Sequence, residues 1–258
     1  MPIDMTIDGD IAEIVLNRPE KLNALDPDHL AQLSAALEAA EQAGVRALLL
    51  RGEGRAFCAG RDISEVDPTT DDAHAFLAEI VTPVMRRLAG FPAPTFAAAQ
   101  GATLGIGLGL LISTDVVYVG ERSRFGSPFA NLGATLDSGG HALFVERLGA
   151  HRTLDLIYTA ELMTGSEAVA GGLFSRVVPE EELLEFTRER VRKVSAGATS
   201  AFLASKSLVA ALRDNRVGLW ASIDAENIAQ GALCATDDYA EGFAAFQEKR
   251  APVFTGGR

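Results

Sequence analysis

The sequence has little cysteine, a deficit of positive charge and no long hydrophobic run. Cys58 and Cys234 are the only cysteines in 258 residues, which favours a reducing, cytoplasmic setting for the protein. Acidic residues outnumber basic ones by 35 to 23, for a net charge of −12. This balance argues against a nucleic-acid partner. No apolar run reaches membrane-spanning length, so we expect no membrane partner either.

Two further signals are missing. The first residues contain no basic segment followed by an apolar run, so we expect no signal peptide. The four histidines, His29, His74, His141 and His151, do not have metal-ligand spacing, and we expect no metal site. Apolar residues, by contrast, make up 48% of the chain, which is enough to build a large core without metals or disulfides.

Hydrophobic patterns divide the chain into an α/β part and a helical part. Strand-like runs occur at residues 5–7, 11–16, 47–50, 95–99 and 116–119, and helical patterns lie between them at 26–44 and 72–89. The resulting β-α-β-α-β order favours a parallel sheet with right-handed crossovers. Beyond Pro179 we expect helices at about 180–195, 199–213, 217–232 and 237–249. We therefore predict a core domain at 1–195 and a helical C-terminal region at 196–258.

A glycine-rich turn, Gly101-Ala-Thr-Leu-Gly105-Ile-Gly107-Leu-Gly109, connects the strand at 95–99 to an apolar helix. Helices rarely open on glycines, because each costs up to about 1 kcal/mol relative to alanine. Such a turn suits the close approach of a ligand to unpaired N–H groups at the helix start. A dinucleotide fingerprint is not completed, since position 110 is leucine. Glycines that serve only close helix packing are the alternative.

A second loop, Arg55-Ala-Phe-Cys-Ala-Gly-Arg-Asp-Ile63, follows the strand at 47–50. Loops that follow parallel strands meet at one edge of the sheet, where ligands gather. Backbone N–H groups from the two loops could therefore form an oxyanion hole, which stabilises an enolate or a tetrahedral oxyanion. An ordinary strand-to-loop turn is the alternative. Cys58 lies in this loop, but no histidine or acidic partner is indicated that would make it a nucleophile.

Four segments of the chain together form a specific pattern. They are NRPEKLNAL at 17–25, AFCAGRDI at 56–63, AQGATLGIG at 99–107 and EGFAAFQEKRAPVF at 241–254. With these segments the chain resembles the enoyl-CoA hydratase/isomerase (crotonase) superfamily over essentially its whole length. This resemblance implies an α/β crotonase (ClpP/crotonase-like) fold, a spiral of β-β-α units. It also implies an acyl-CoA substrate with no further cofactor, and a homotrimer or dimer of trimers in which 196–258 is the trimerisation region.

The resemblance also assigns residues to the site. The backbone N–H groups of Arg61 and Ile106 would form the oxyanion hole around the thioester carbonyl. Arg61 is larger than the small residue usual at its position, which could alter the pocket mouth. Contacts to the CoA moiety would come from Lys21, Leu22, Ala24, Ala59, Asp62 and Ile63.

The chain departs from the family's hydratases at two positions. Those enzymes carry glutamates where this sequence has Gly109 and Phe129, and neither replacement can transfer a proton. Asp137 matches the aspartate that some superfamily isomerases carry in a P-D-x-G-G motif. We therefore expect an enoyl-CoA isomerase in which Asp137 is the acid and base. The alternative for Asp137 is a helix cap, because a helical pattern follows at 138–148.

Other activities stay open from the sequence alone. They are enoyl-CoA hydration, hydrolysis of an acyl-CoA thioester with water positioned by Asp137, and binding of acyl-CoA without catalysis. His141 lies one helical turn beyond Asp137 and could touch it. The loop at 65–71 and the helix at 72–89 are expected to shape the acyl pocket, but their composition does not specify the acyl chain.

Overall fold

The computed structural model describes residues 2–64, 66–67, 69–215 and 219–256. Within these residues, nine strands form a six-stranded sheet in the order β1-β2-β3-β4-β6-β9 and a three-stranded sheet in the order β5-β7-β8. The strands are β1 Ile3–Asp8, β2 Ile11–Leu16, β3 Ala47–Gly52, β4 Thr95–Ala99, β5 Ala102–Leu104, β6 Val116–Gly120, β7 Arg124–Gly126, β8 Met163–Thr164 and β9 Arg176–Val178. The β1–β2 and β7–β8 pairs are antiparallel and the other pairs are parallel.

Helices pack on the larger sheet and form the C-terminal part of the described chain. They are α1 Pro27–Gln42, α2 Ala73–Ala75, α3 Thr82–Ala89, α4 Ile106–Ile112, α5 Gly140–Thr159, α6 Gly165–Ala170, α7 Leu183–Ser195, α8 Thr199–Asn215, α9 Leu219–Leu233 and α10 Asp237–Glu248. As predicted, α1 begins with Pro27 at its first position and Asp26 as its cap, which accepts a hydrogen bond from the N–H of His29.

Both faces of the larger sheet are buried, as the crossovers of a parallel sheet require. In β3, Leu48 and Leu50 belong to the core on one face, while Ala47 and Leu49 belong to a second cluster on the other. The second face packs against α7. Alternation along one short strand thus places apolar side chains in two cores.

The predicted alternation of strands and helices is confirmed, and β4 has the predicted bounds. The smaller sheet was not predicted, because its two- and three-residue strands are too short to display a period of two. The predicted helix at 72–89 is interrupted by a π-helical stretch, Phe76–Val81. Pro83 explains the interruption, since it has no N–H to continue α-helical bonding. The N–H of Thr82 accordingly donates to the carbonyl of Leu77, five residues back.

Buried Arg46 ties the C-terminal segments to the sheet. Its guanidinium donates to the main-chain carbonyls of Gly197 and Phe254 and, at 3.3 Å, to the Thr199 hydroxyl. Helix α7 ends at Ser195, beside the predicted domain boundary, and the division itself stays a prediction. Residues 217–218 of the predicted helix at 217–232 lie outside the described residues. Among the described helices, none is long and apolar enough to cross a membrane.

Candidate functional site

The glycine turn and the loop at 55–63 meet beyond the ends of β3 and β4, as the sequence predicts. The N–H of Phe57 donates to the carbonyl of Gln100 at 2.7 Å. One residue on, Cys58 forms a parallel bridge with Thr103 in β5, in which the N–H of Leu104 donates to the Cys58 carbonyl at 3.0 Å. The two loops are therefore joined by sheet-type hydrogen bonds before either reaches the candidate site.

Gly60 and Gly105 pack against each other where the two loops meet. Their φ angles are +101° and +51°, in the region that favours glycine. A Cβ atom on Gly60 would lie 3.0 Å from the carbonyl oxygen of Leu104, and one on Gly105 would lie 3.9 Å from the Cα of Gly60. A side chain at Gly60 would be both crowded and strained, whereas the 3.9 Å separation between a Cβ on Gly105 and the Cα of Gly60 is an ordinary van der Waals contact. Arg61 and Ile106, the two predicted oxyanion-hole residues, follow directly from this contact.

Hydrogen bonding leaves the N–H groups of Arg61 and Ile106 available. Within the described part of the chain, neither N–H donates to a protein acceptor. The N–H of Leu25 donates to the carbonyl of Gly60 at 2.8 Å. Because the carbonyl of Gly60 and the N–H of Arg61 belong to one planar trans peptide and point in opposite directions, the N–H of Arg61 is directed away from Leu25. An oxyanion-hole donor needs this kind of fixed, unpaired N–H.

The loop at 17–25, predicted to contact CoA, packs against the same segment. Leu22 and Asn23 have positive φ angles of 52° and 58°, and the Leu22 carbonyl accepts a hydrogen bond from the N–H of Ala59 at 2.9 Å. Asn23 is buried and its side chain donates to the carbonyls of Glu53 and Ala56. This buried amide fixes the loop in place, and no pattern in the sequence distinguishes it from the other polar residues of the loop.

The predicted CoA-contact residues differ in exposure. Lys21 and Ile63 are exposed, Leu22, Ala59 and Asp62 are half-buried, and Ala24 is buried. The Asp62 carboxylate accepts hydrogen bonds from the hydroxyl and N–H of Ser64 and pairs with Arg18 at 2.7 Å. These partners, Ser64 first, hold the pKa of Asp62 well below its ordinary value. The Asp62 carboxylate is therefore already hydrogen-bonded to other residues of the protein.

The Asp137 side chain does not cap a helix, so the helix-cap alternative is wrong. Helix α5 begins at Gly140 and its N-cap residue is Gly139, with no side-chain capping bond. Ser138 and Gly139 both have positive φ, 50° and 84°, and these left-handed residues separate the Asp137 side chain from the helix start. Only the main-chain carbonyl of Asp137 accepts a bond from the Gly140 N–H. The helix is also longer than the predicted 138–148 and is kinked at Gly149.

Asp137 instead carries a buried oxygen without a partner. Among the described residues, no hydrogen bond reaches its Oδ1 or the neighbouring Ser138 Oγ, although both atoms are buried. Burial raises the pKa of Asp137, while Ser138 and the exposed His141 partly oppose the shift. A carboxyl group with a raised pKa and a free oxygen is a candidate for proton exchange with a bound ligand.

The two positions that the resemblance assigns to hydratase glutamates are occupied differently here. A Cβ atom on Gly109 would lie 2.6 Å from Cβ of Ser138 and 3.1 Å from Sδ of Met85. A longer side chain at 109 therefore does not fit this packing. The ring of Phe129 lies against Gly105, with Cζ 2.9 Å from where a Cβ would be. Sequence analysis did not identify Met85 or Ser138, because neither belongs to a motif.

Replacing Asp137 by asparagine is expected to stabilise the folded protein at neutral pH. Because burial raises the pKa of this carboxyl above its ordinary value of 3.8, ionisation costs folding free energy as the pH rises past that value. The variant should be more stable than the wild type at pH 7.5, and the gain should vanish as the pH falls towards 4. Urea unfolding of both proteins between pH 4.5 and 8 measures this difference in the free energy of unfolding. Exposed Asp155→Asn is the control, and equal stabilities across the range would contradict the expectation.

The two cysteines should differ sharply in reactivity. Cys58 is completely buried and burial raises the pKa of its thiol to about 12, so the thiolate that reacts is scarce. Cys234 is exposed. We expect Ellman's reagent to titrate one thiol per folded chain and two after denaturation, with none in folded Cys234→Ser. A second rapid thiol in the folded protein would show that Cys58 is accessible.

The remaining predicted features lie around this site. Two residues come from the predicted helix at 72–89. Phe76 contacts the Arg61 guanidinium, and Met85 lies beside Gly109. Glu65 and Pro68, in the predicted pocket loop, lie outside the described residues. In the part of the chain that is described, no three His, Cys, Asp or Glu side chains come together as metal ligands would.

Comparison with known proteins agrees with the resemblance. The sequence matches the enoyl-CoA hydratase/isomerase family over residues 6–257. It is 36% identical to a probable enoyl-CoA hydratase of Mycobacterium bovis, covering 96% of this chain and 95% of the relative. It is 31% identical to a 1,2-epoxyphenylacetyl-CoA isomerase of Escherichia coli, covering 97% of both chains.

A solved structure confirms the predicted fold. The crystal structure of an enoyl-CoA hydratase subunit from Geobacillus kaustophilus superposes with a TM-score of 0.89 at 33% identity, covering 99% of this chain and 98% of the other. The mixed α/β architecture and helical C-terminal part are therefore those of a crotonase fold. From sequence, site and fold together, the chain belongs to the enoyl-CoA hydratase/isomerase family.

Proposed function

We propose that this protein is an enoyl-CoA isomerase that moves a double bond along the acyl chain of its substrate. The thioester carbonyl lies between the N–H groups of Arg61 and Ile106, which have no acceptor among the described residues. Arg61 and Ile106 directly follow Gly60 and Gly105, the two glycines that pack against each other. Hydrogen bonds from both N–H groups stabilise the negative charge that develops on the carbonyl oxygen when a proton leaves the acyl chain. The intermediate is an enolate conjugated with the double bond.

Asp137 moves the proton in this proposal. Its carboxylate removes a proton from the α-carbon of a 3-enoyl-CoA, and the electron pair of that C–H bond enters the dienolate. The protonated carboxyl then returns the proton to the γ-carbon, and the electrons of the dienolate leave a double bond between the α- and β-carbons. The reaction consumes no water and no cofactor, and one carboxyl group performs both transfers.

The observation that carries the proposal is the packing around Gly109. Hydration requires a group to activate water, and the position where family hydratases place one glutamate is filled by Ser138 and Met85. Asp137 is left as a half-buried carboxyl whose Oδ1 is buried without a partner among the described residues. One carboxyl without a second is sufficient for isomerisation.

Product analysis tests the proposal directly. The protein is incubated in D₂O with 2-enoyl- and 3-enoyl-CoA esters of several chain lengths, and the products are followed by chromatography and mass spectrometry. Isomerisation yields the shifted double bond, and deuterium enters at the α- or γ-carbon whenever the Asp137 carboxyl exchanges its proton with solvent before returning it. Free CoA would indicate thioester hydrolysis, and binding with neither a shifted double bond nor deuterium uptake would indicate a non-catalytic acyl-CoA-binding protein; either result contradicts the proposal.

Hydration is the second candidate, and the names of relatives favour it. The Mycobacterium bovis and Geobacillus kaustophilus proteins are both called enoyl-CoA hydratases. In this alternative Asp137 positions the attacking water, and a hydroxyacyl-CoA is the product. The same experiment distinguishes it, since hydration adds one water to the substrate whereas isomerisation leaves its composition unchanged apart from deuterium.

Substrate binding and assembly complete the proposal. The CoA moiety would lie along the loop at 17–25 and the segment at 59–63, where Lys21 and Ile63 are exposed. The chain would assemble as a homotrimer or a dimer of trimers through 196–258. Exposed apolar side chains in α8 to α10, including Val209, Ile228 and Phe243, support self-association of this region. Sedimentation equilibrium should return three or six times the chain mass.

A further inference from the structure

The Arg61 side chain makes contacts that the family resemblance does not assign. Its guanidinium forms two hydrogen bonds with the Asp71 carboxylate, Nη1 to Oδ2 at 2.9 Å and Nη2 to Oδ1 at 2.6 Å. The same guanidinium lies over the ring of Phe76, with Cζ 4.0 Å from the ring centroid. A planar guanidinium held by a fork of two bonds and a stacked ring has little orientational freedom.

The partners of Arg61 are themselves held locally. The N–H of Asp71 donates to the carbonyl of Asp67 at 3.0 Å. The N–H of Phe76 donates to the carbonyl of Asp72, whose side chain caps α2. Phe76 is also buried. Asp71 and Phe76 therefore form a fixed attachment point on the start of this helical segment.

These contacts restrain the peptide that supplies one proposed oxyanion-hole donor. The hydrogen bond from Leu25 to the Gly60 carbonyl fixes the Gly60 side of that peptide. On the other side of Arg61, the N–H of Asp62 donates to the carbonyl of Leu25 at 2.8 Å, which completes a parallel bridge between Leu25 and Arg61. The side-chain contacts with Asp71 and Phe76 add a restraint on the Arg61 Cα that comes from a different segment of the chain.

We propose that Asp71 and Phe76 are positioning residues that act through the Arg61 side chain to hold the Arg61 N–H at the thioester oxygen. The inference rests on the proposed function, because it assumes that this N–H binds the carbonyl. A purely structural ion pair near the surface would contribute little to folding and would leave catalysis unchanged. A positioning role predicts a different effect, on the polarisation of the bound carbonyl and on kcat.

The test uses Asp71→Asn and the infrared spectrum of bound octanoyl-CoA carrying ¹³C at its carbonyl. This saturated ester cannot isomerise, so it reports the hydrogen bonds to the carbonyl without turnover. We expect a red-shifted carbonyl band in the wild type and a smaller shift in the variant, with a Kd changed by less than about twofold. With an enoyl-CoA substrate, kcat should fall about tenfold or more while KM changes little, since small misplacements of a catalytic group are costly.

Matched variants separate positioning from stability. Asp214→Asn breaks another two-bond arginine pair, with Arg213 in α8, and should change neither the band nor kcat. Asp71→Glu should recover part of both. Arg61→Lys keeps the charge but loses the fork, so it should resemble Asp71→Asn, and it provides the test if Asp71→Asn does not fold.

The outcomes distinguish the inference from the function on which it rests. A wild-type band without a red shift would mean that the carbonyl is not bound by the two N–H groups, and the proposed function would fail. A normal wild-type shift that Asp71→Asn and Arg61→Lys leave unchanged, together with unchanged kcat, would overturn the positioning role alone.

Discussion

Asp137→Asn is expected to lower isomerase kcat by about 10²- to 10⁴-fold, the usual contribution of a general acid–base group. Asparagine has nearly the shape of aspartate but cannot accept and return a proton. No hydrogen bond from the described residues reaches the buried Oδ1 of this carboxyl, so the substitution removes the reactive group while leaving the surrounding packing in place. Deuterium uptake into the α- and γ-carbons should be lost together with turnover.

Binding provides the necessary comparison for this variant. Calorimetric titration with octanoyl-CoA should give Kd values within about twofold for wild type and variant, because the proposed thioester and CoA contacts do not involve Asp137. Exposed Asp155→Asn, in α5, should retain full activity. Isomerase turnover that survives Asp137→Asn would remove this residue from the mechanism, whatever the variant's stability.

Gly105→Ala is expected to lower kcat by at least about 10²-fold through loss of the oxyanion hole. The residue has φ +51° and ψ −116°, a conformation that costs a non-glycine residue about 1–3 kcal/mol. Its new methyl group would also lie 2.9 Å from Cζ of Phe129. Relief of both conflicts moves the start of α4, and the N–H of Ile106 moves with it.

A glycine elsewhere separates backbone strain from damage to the site. Gly172 also has positive φ, +75°, but a Cβ there meets nothing within 4 Å. Gly172→Ala should therefore cost some stability without changing kcat. Steady-state kinetics measured well below each melting temperature makes the comparison. Equal activity of Gly105→Ala and wild type would contradict the assignment of Ile106 as a donor.

Local sequence signals predicted the larger sheet and the approach of the two loops. The apolar run at 95–99 gave the bounds of β4, and Asp26-Pro27 gave the start of α1. Parallel strands place the loops that follow them at one edge, so the meeting of 55–63 with the glycine turn could be anticipated. The family resemblance then supplied the identities of Arg61 and Ile106 as candidate donors.

Contacts between distant segments could not be predicted in the same way. The Arg61 and Asp71 side chains are ten residues apart in an irregular segment, and no periodicity relates them. Ser138, which lies between Asp137 and the start of α5, packs against Gly109, nearly thirty residues earlier in the chain. The π-helical stretch follows from Pro83, whose effect on helix geometry depends on what the neighbouring elements allow.

The bridge between Cys58 and Thr103 and the bridge between Leu25 and Arg61 have a consequence for the energetics of association. Three segments that look like loops along the chain are cross-linked as short ladders, so their main-chain entropy is already lost when the protein folds. A flexible ligand that binds among these segments loses far more conformational entropy than the protein does. Most of the entropic penalty of complex formation therefore falls on the incoming thioester.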